Sequence, residues 1–295
     1  MKLLSDFDGV WTHPAREARA QGEVLDARLA SFAPAGREGE ARAWLARARS
    51  AIRGAPTRWG WTSDSRIAAF ADEDPFGEHS ALLHYLEDAA AREPLAATIR
   101  YRAALEGGTL DGFGLASHLA GVAEVEGERG PGVLPAAAEA GRSLLARGVE
   151  IVVVSNSGGE KLDRWFAHAG LPHHPHPRRE PGALRLRGNA GKHVLDPAGS
   201  SRLPLGEASV ELRRPSYEAI LREEAPDAVV GDVFSLDLAL PLSFRRSDPS
   251  WRHVRLFWLV HDYTPKRMRD AIAAWAPEVE PLASGLPGVA AALTA

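Results

Sequence analysis

The stretch Ser5-Asp6-Phe7-Asp8-Gly9-Val10-Trp11-Thr12 follows the short apolar run Leu3-Leu4. Leu3-Leu4 predicts a buried first strand. Side chains two apart on a strand share a face, so Asp6 and Asp8 are expected to project together where the chain leaves a sheet. Two carboxylates that close repel unless a cation sits between them. A carboxylate is also a nucleophile at neutral pH without help from a base. Asp6 is therefore a nucleophile candidate and Asp8 its acid/base neighbour. Two other readings compete. A calcium loop also begins Asp-x-Asp, and Glu17 falls at its twelfth position, but Val10 and Trp11 stand where that loop needs an oxygen ligand and a glycine. The other is an Asp-Gly turn with no chemistry attached.

With 295 residues, 45% of them hydrophobic and 25% charged, the chain can bury a sizeable core in one large or two modest domains. Its net charge of -4 gives no overall attraction to nucleic acid or to an anionic membrane. The sequence has no cysteine, which removes disulfides and thiolate chemistry. No apolar run approaches the roughly 18 residues of a membrane helix. After Lys2 only two leucines precede Ser5, unlike a signal peptide. The expectation is a cytoplasmic protein without nucleic-acid or membrane partners.

From about Pro14 to Gly130 helical periodicity dominates. Trp44, Leu45, Ala48 and Ile52 form one apolar stripe, and Leu82, Leu83, Leu86 and Ala90 another. An all-helical module of five or six helices is expected, broken at Gly54-Ala55-Pro56, Asp74-Pro75-Phe76-Gly77, Glu93-Pro94 and Gly107-Gly108. Thr57-Arg58-Trp59-Gly60-Trp61-Thr62 reads as a loop. It could grip a substrate or phosphate, or its tryptophans could plug the module onto its neighbour. His173-His174-Pro175-His176 reads as a solvated loop rather than a metal site.

Beyond Gly130-Pro131-Gly132 helix and strand alternate. Glu150-Ile151-Val152-Val153-Val154 is β-branched, as in strands buried on both faces, and ends in Ser155-Asn156-Ser157-Gly158-Gly159 before a helix. A hydroxyl and free N–H groups at a helix N-terminus suit phosphate. A third apolar strand, from Ala228, ends in Gly231-Asp232 with Asp237 five residues further on, and Arg255–Val260 reads as another strand. The pattern predicts an α/β fold, a Rossmann-like doubly wound parallel sheet whose ligands bind outside the carboxyl ends of the strands.

These clusters resemble the ordered motifs of the haloacid dehalogenase (HAD) superfamily, phosphatase type. Asp6-Phe7-Asp8-Gly9-Val10 is similar to the first motif, DxDG[T/V]; Ser155 to the Ser/Thr of the second; and Gly231-Asp232 through Asp237 to the acidic fourth. The likeness covers about residues 1–13 and 132–290. It implies a core of residues 1–13 and 131–295, and residues 14–130 as an inserted helical cap that selects substrate; Pro14 and Gly130-Pro131-Gly132 mark the expected hinges near residues 13–15 and 128–132. It further implies a Mg²⁺-dependent phosphomonoester hydrolase acting through an aspartyl-phosphate on a small phosphorylated metabolite. Asp6 would be the nucleophile, Asp8 the acid/base, and Ser155 the holder of the phosphoryl oxygens. Asp6, the Asp8 carbonyl and Asp232 would bind Mg²⁺, with Asp237 as another ligand or as support for one, and Gly9, Asn156 and Arg58 would bind the substrate. Dehalogenases of this superfamily lack an aspartate two after the nucleophile and P-type ATPases place threonine there, so with Asp8 present the resemblance implies phosphomonoester hydrolysis. The alternatives are a phosphate-binding or regulatory protein on an inactive HAD scaffold, or a HAD phosphomutase.

The third motif, usually Lys-Pro, is not intact. Arg214-Pro215 stands in its place and ranks first as the counter-cation to Asp6, with Lys192 in a glycine-rich turn second.

Overall fold

A computed structural model describes residues 1–63, 66–130 and 132–294. By contact density the chain divides into two compact units, residues 1–13 with 131–295, and residues 14–130. Pro131 of the Gly130-Pro131-Gly132 crossing lies outside the described residues.

Among the described residues of the first unit, seven strands form one sheet. Their spatial order is Val279–Leu282, Arg255–Leu259, Ala228–Gly231, Lys2–Ser5, Glu150–Val154, Leu184–Arg187 and His173–Pro175. Every neighbouring pair is parallel. Leu3 pairs with Ile151 on one side and Ala228 on the other, so the first strand lies at the centre. The chain leaves it toward Glu150–Val154 and later returns to its opposite side at Ala228–Gly231. That reversal makes the crevice beside the carboxyl end of Lys2–Ser5 the place where a ligand binds in such a sheet.

Apart from their first residues Lys2 and Glu150, the three central strands are buried, which is why they read as unbroken apolar runs. Proline falls in the two edge strands, at Pro175 and Pro281, where a missing N–H interrupts no inner ladder. Helix Gly159–His168 buries Leu162, Trp165 and Phe166. Phe7 lies between the two aspartates in sequence and packs edge-on against Trp165 (5.6 Å) and Phe166 (5.3 Å), while Trp11 meets Phe166 at 5.1 Å. The aspartate turn is thereby fixed to the core by aromatic contacts, each worth about 0.5–1.5 kcal/mol beyond its buried area. A bridge between Thr12 and Val133 and a bond from the Leu134 N–H to the Trp11 carbonyl hold the two ends of the first unit's segments together.

The second unit contains helices Ala15–Ser31, Glu38–Gly54, Gly77–Ala90, Pro94–Gly107 and Leu110–Arg129 around its own core. Its expected stripes are buried with one shift: Ala89 faces the core and Ala90 only partly. The unit is not all-helical. Gly60–Ser63 and Arg66–Phe70 form an antiparallel hairpin after the short turn Pro56–Arg58, correcting the expected loop. Its tryptophans attach to their own unit: Trp59 packs on Tyr85 at 5.1 Å, and the Trp61 indole N–H donates to Asp74 at 2.7 Å.

The histidine segment is likewise not a loop, since His173–Pro175 is an edge strand in register with Leu184–Leu186. No helix of the described residues is long and apolar enough to cross a membrane.

Candidate active site

The strand Lys2–Ser5 stops one residue before Asp6. The two aspartates are therefore placed by the turn that follows and not by the pleat. The Asp6 N–H donates to the Val230 carbonyl (2.9 Å), which fixes Asp6 to the neighbouring strand, and the Trp11 N–H closes the turn on the Phe7 carbonyl (2.9 Å). Gly9 adopts φ +75°, and a Cβ there would stand 2.2 Å from the Asp232 carboxylate. Only glycine allows both the left-handed backbone and the approach.

Lys192 reaches the centre. Its Nζ donates to Asp6 Oδ1 at 2.6 Å and to Asp237 Oδ1 at 2.7 Å, with the side chain almost fully buried. The turn that carries it is clamped onto the segment after Val154. The Asn189 N–H donates to the Ser157 carbonyl, the Ala190 N–H to the Ser155 carbonyl (both 2.9 Å), and the Lys192 N–H to Asn156 Oδ1 at 2.8 Å. Asn156, expected among the substrate-binding residues, here holds the lysine's backbone.

The geometry reverses the expected order of Arg214 and Lys192. The buried Arg214 guanidinium donates to the carbonyl of Glu211 at 2.8 and 3.0 Å and to the carbonyls of Ser235 and Leu236. It pins the turn that presents Asp237, and the Tyr217 hydroxyl adds a bond to the Asp237 carbonyl at 2.8 Å. A proline after a basic residue marks the start of helix Pro215–Glu224. It does not reveal where the side chain points.

Asp8 is held on the other flank. The Ser157 hydroxyl donates to its Oδ2 at 2.9 Å, and Lys161 Nζ lies 3.3 Å from its Oδ1 and 3.2 Å from Ser157 Oγ. The Lys161 ammonium also sits over the rings of Phe7 (5.5 Å) and Trp165 (4.8 Å). Ser155 is buried, its hydroxyl oxygen accepting from the Ser157 N–H at 3.0 Å. Arg58 is exposed in the second unit, at the end of the Pro56–Arg58 turn.

Lys161, His261 and Tyr263 stand in no expected motif, and Ser157 only in the Ser155–Gly159 cluster. Tyr263 donates its hydroxyl to Asp232 Oδ2 at 2.7 Å, and His261 Nε2 bonds the Gly9 carbonyl at 2.7 Å. The available signal was positional: polar residues just past the apolar strand Arg255–Leu259 stand at the same carboxyl edge as the recognised clusters.

Burial, reinforced by Asp237, raises the Asp6 carboxyl to about 8, against the opposing pull of Lys192. Burial alone would lower the Lys192 ammonium, but Asp237 and Asp6 hold it above its ordinary value. Asp237 and Asp8 both act on Asp6 with negative charge, against the one ammonium of Lys192. Carboxylate oxygens of Asp6, Asp232 and Asp237 lie within 4.8 Å of one another. Three hard oxygen donors with surplus negative charge fit a small divalent cation such as Mg²⁺. A second grouping, His176, Glu223 and Glu224, has its buried Glu224 already paired with Arg185 and Arg187.

No family model and no curated protein matches the chain. Among solved structures, a haloacid dehalogenase-like family hydrolase from Xanthomonas campestris aligns with a TM-score of 0.44 and 13% identity, covering 100% of this chain and 94% of its own. The 2-haloacid dehalogenase of Pseudomonas syringae pv. Tomato DC3000 aligns with a TM-score of 0.36 and 15% identity, covering 93% and 99% respectively. Both likenesses are distant.

Proposed function

We propose that the protein is a hydrolase of the HAD superfamily and, more specifically, a Mg²⁺-dependent phosphomonoesterase that acts through an aspartyl-phosphate on a small phosphorylated metabolite. The observation that carries this reading is the convergence of Asp6, Lys192 and Asp237 at the carboxyl edge of a parallel sheet, with Lys192 Nζ 2.6 Å from Asp6. Phosphoryl transfer needs chiefly positioning and charge neutralisation, and this arrangement supplies both.

Asp6, Asp232 and Asp237, with the Asp8 carbonyl, would hold the ion, which when bound neutralises the carboxylates and polarises the phosphoryl oxygens. Lys192 orients Asp6 and offsets charge on the transferred group. Asp6 attacks phosphorus as the bond to the leaving oxygen breaks, and Asp8 gives that oxygen its proton. In the second step Asp8 takes a proton from water, the water oxygen attacks phosphorus, and Asp6 is released as a carboxylate with inorganic phosphate. Ser157 and Lys161 keep Asp8 in place through both steps. Ser155 and the N–H groups at the start of helix Gly159–His168 receive the phosphoryl oxygens. Residues 14–130, Arg58 among them, would contribute substrate selection.

The test is turnover of p-nitrophenyl phosphate with and without Mg²⁺, alongside halide release from 2-chloropropionate. Mg²⁺-dependent release of p-nitrophenol without halide release supports the reading. Halide release alone overturns it in favour of a dehalogenase.

A further inference from the structure

The strand Arg255–Leu259 is followed by a tight turn, His261-Asp262-Tyr263-Thr264, in which the His261 N–H donates to Thr264 Oγ1 at 2.9 Å and the Thr264 N–H returns to the His261 carbonyl at 3.2 Å. The turn stacks two rings, His261 on Tyr263, with centroids 4.9 Å apart and planes 22° from parallel. Each ring carries one hydrogen bond toward the aspartate cluster. Tyr263 donates to Asp232 Oδ2 at 2.7 Å. His261 Nε2 meets the Gly9 carbonyl at 2.7 Å, and because a carbonyl only accepts, Nε2 must carry the proton.

These contacts close on themselves. The Gly9 α-carbon lies directly against the Asp232 carboxylate, and the Trp258 indole N–H holds the Asp232 backbone carbonyl at 2.8 Å from the strand below. Asp232, Tyr263, His261 and Gly9 therefore form a ring of packed neighbours that ties the first aspartate turn to the strand end carrying Asp232. Those two segments are far apart in sequence, and their spacing decides how oxygens from each face a common ion.

We propose that Tyr263 and His261 are positioning residues that jointly set the Asp232 carboxylate and the Asp8–Gly9 turn for a divalent cation. The proposal rests on reading Asp232 as an ion ligand. Hydrogen-bonded partners of metal ligands fix carboxylate orientation, and their removal typically weakens binding about 10- to 100-fold. A turn that merely anchored the loop would change thermal stability and leave ion affinity alone.

The test is calorimetric titration of Mg²⁺ into the metal-free full chain, with thermal melts of the same samples. Tyr263→Phe keeps the stacked ring and removes one hydroxyl. It should weaken Mg²⁺ binding by about 10- to 100-fold while the metal-free melting temperature stays at the wild-type value. His261→Ala should weaken binding too, and His261→Gln, whose amide N–H can reach the Gly9 carbonyl, should recover part of the loss. Because the two rings act together, the double variant should lose less than the product of the single losses. Wild-type affinity in a folded Tyr263→Phe protein overturns the positioning role and leaves the ion site standing. A wild-type chain that binds no Mg²⁺ overturns both the ion reading and the proposal built on it.

Discussion

Lys192 and Asp6 lie 186 positions apart in the chain, yet Lys192 Nζ donates to Asp6 Oδ1 at 2.6 Å while its second bond goes to Asp237. One ammonium thus joins the proposed nucleophile to the acidic turn across the central strands. Replacing Lys192 by methionine should lower kcat/KM about 10²- to 10³-fold, the scale for losing one positioned donor to developing charge. Arg214→Met should act differently, since it strips buried carbonyls of their donor. Its main effect should be a stability loss of about 1–3 kcal/mol, seen as an earlier denaturant midpoint. Equal, small kinetic effects of both substitutions would remove Lys192 from the mechanism.

The Asp6 carboxyl, raised to about 8 by burial and Asp237, binds a proton in the folded metal-free chain over a range in which the unfolded chain has already lost it. The folded state then holds more protons between about pH 4 and 8, so this group's contribution to stability is present below that window and lost as pH rises through it. Asp6→Asn should flatten this fall in a comparison of melting temperature against pH with the wild type. Mg²⁺ binding near neutral pH should release a proton, measured as a dependence of the calorimetric enthalpy on the buffer's ionisation enthalpy. Parallel pH profiles for the two proteins would show that Asp6 is ionised without the ion.

Gly9 combines φ +75° with contact against Asp232. Gly9→Ala should lower stability by about 1–3 kcal/mol through backbone strain and displace the Asp232 carboxylate, so that Mg²⁺ affinity falls with activity. Wild-type affinity and turnover in Gly9→Ala would mean that the turn relaxes freely.

Asp8→Asn should reduce kcat by about 10²- to 10⁴-fold, the usual contribution of a positioned acid/base, while orthovanadate still binds. Lys161→Met removes the ammonium 3.3 Å from Asp8 and should give a smaller loss, confined to kcat. A rise in KM without change in kcat would move Lys161 from holding Asp8 to holding substrate.

The parallel sheet was legible because its inner strands are buried on both faces and therefore appear as β-branched runs, each followed by polar residues at the edge where ligands bind. The edge strands His173–Pro175 and Val279–Leu282 carry proline and little apolar character. Their pairing comes from neighbours such as Leu184–Arg187 and not from their own sequence. The Gly60–Ser63 hairpin escaped notice for a related reason: its strands are short and interrupted by a register shift at Trp61 and Thr62. The acidic clusters were visible as local motifs. The choice of lysine was not, because Lys192 is brought to Asp6 by the bonds of Asn156, Ser155 and Ser157 to a distant turn. Arg214 offered a convincing local signal and proved to be occupied by carbonyl oxygens. Tyr263 and His261 have no motif, and only the closing of the fold brings them to Asp232 and Gly9.

The most direct measurement is to capture the covalent step. The full chain is mixed with p-nitrophenyl [³²P]phosphate and Mg²⁺, quenched in acid within one turnover, and the labelled peptide mapped. The expected result is a hydroxylamine-labile acyl phosphate on Asp6, absent from Asp6→Asn. Label on any other residue, or full turnover by a folded Asp6→Asn protein, would contradict Asp6 as the nucleophile.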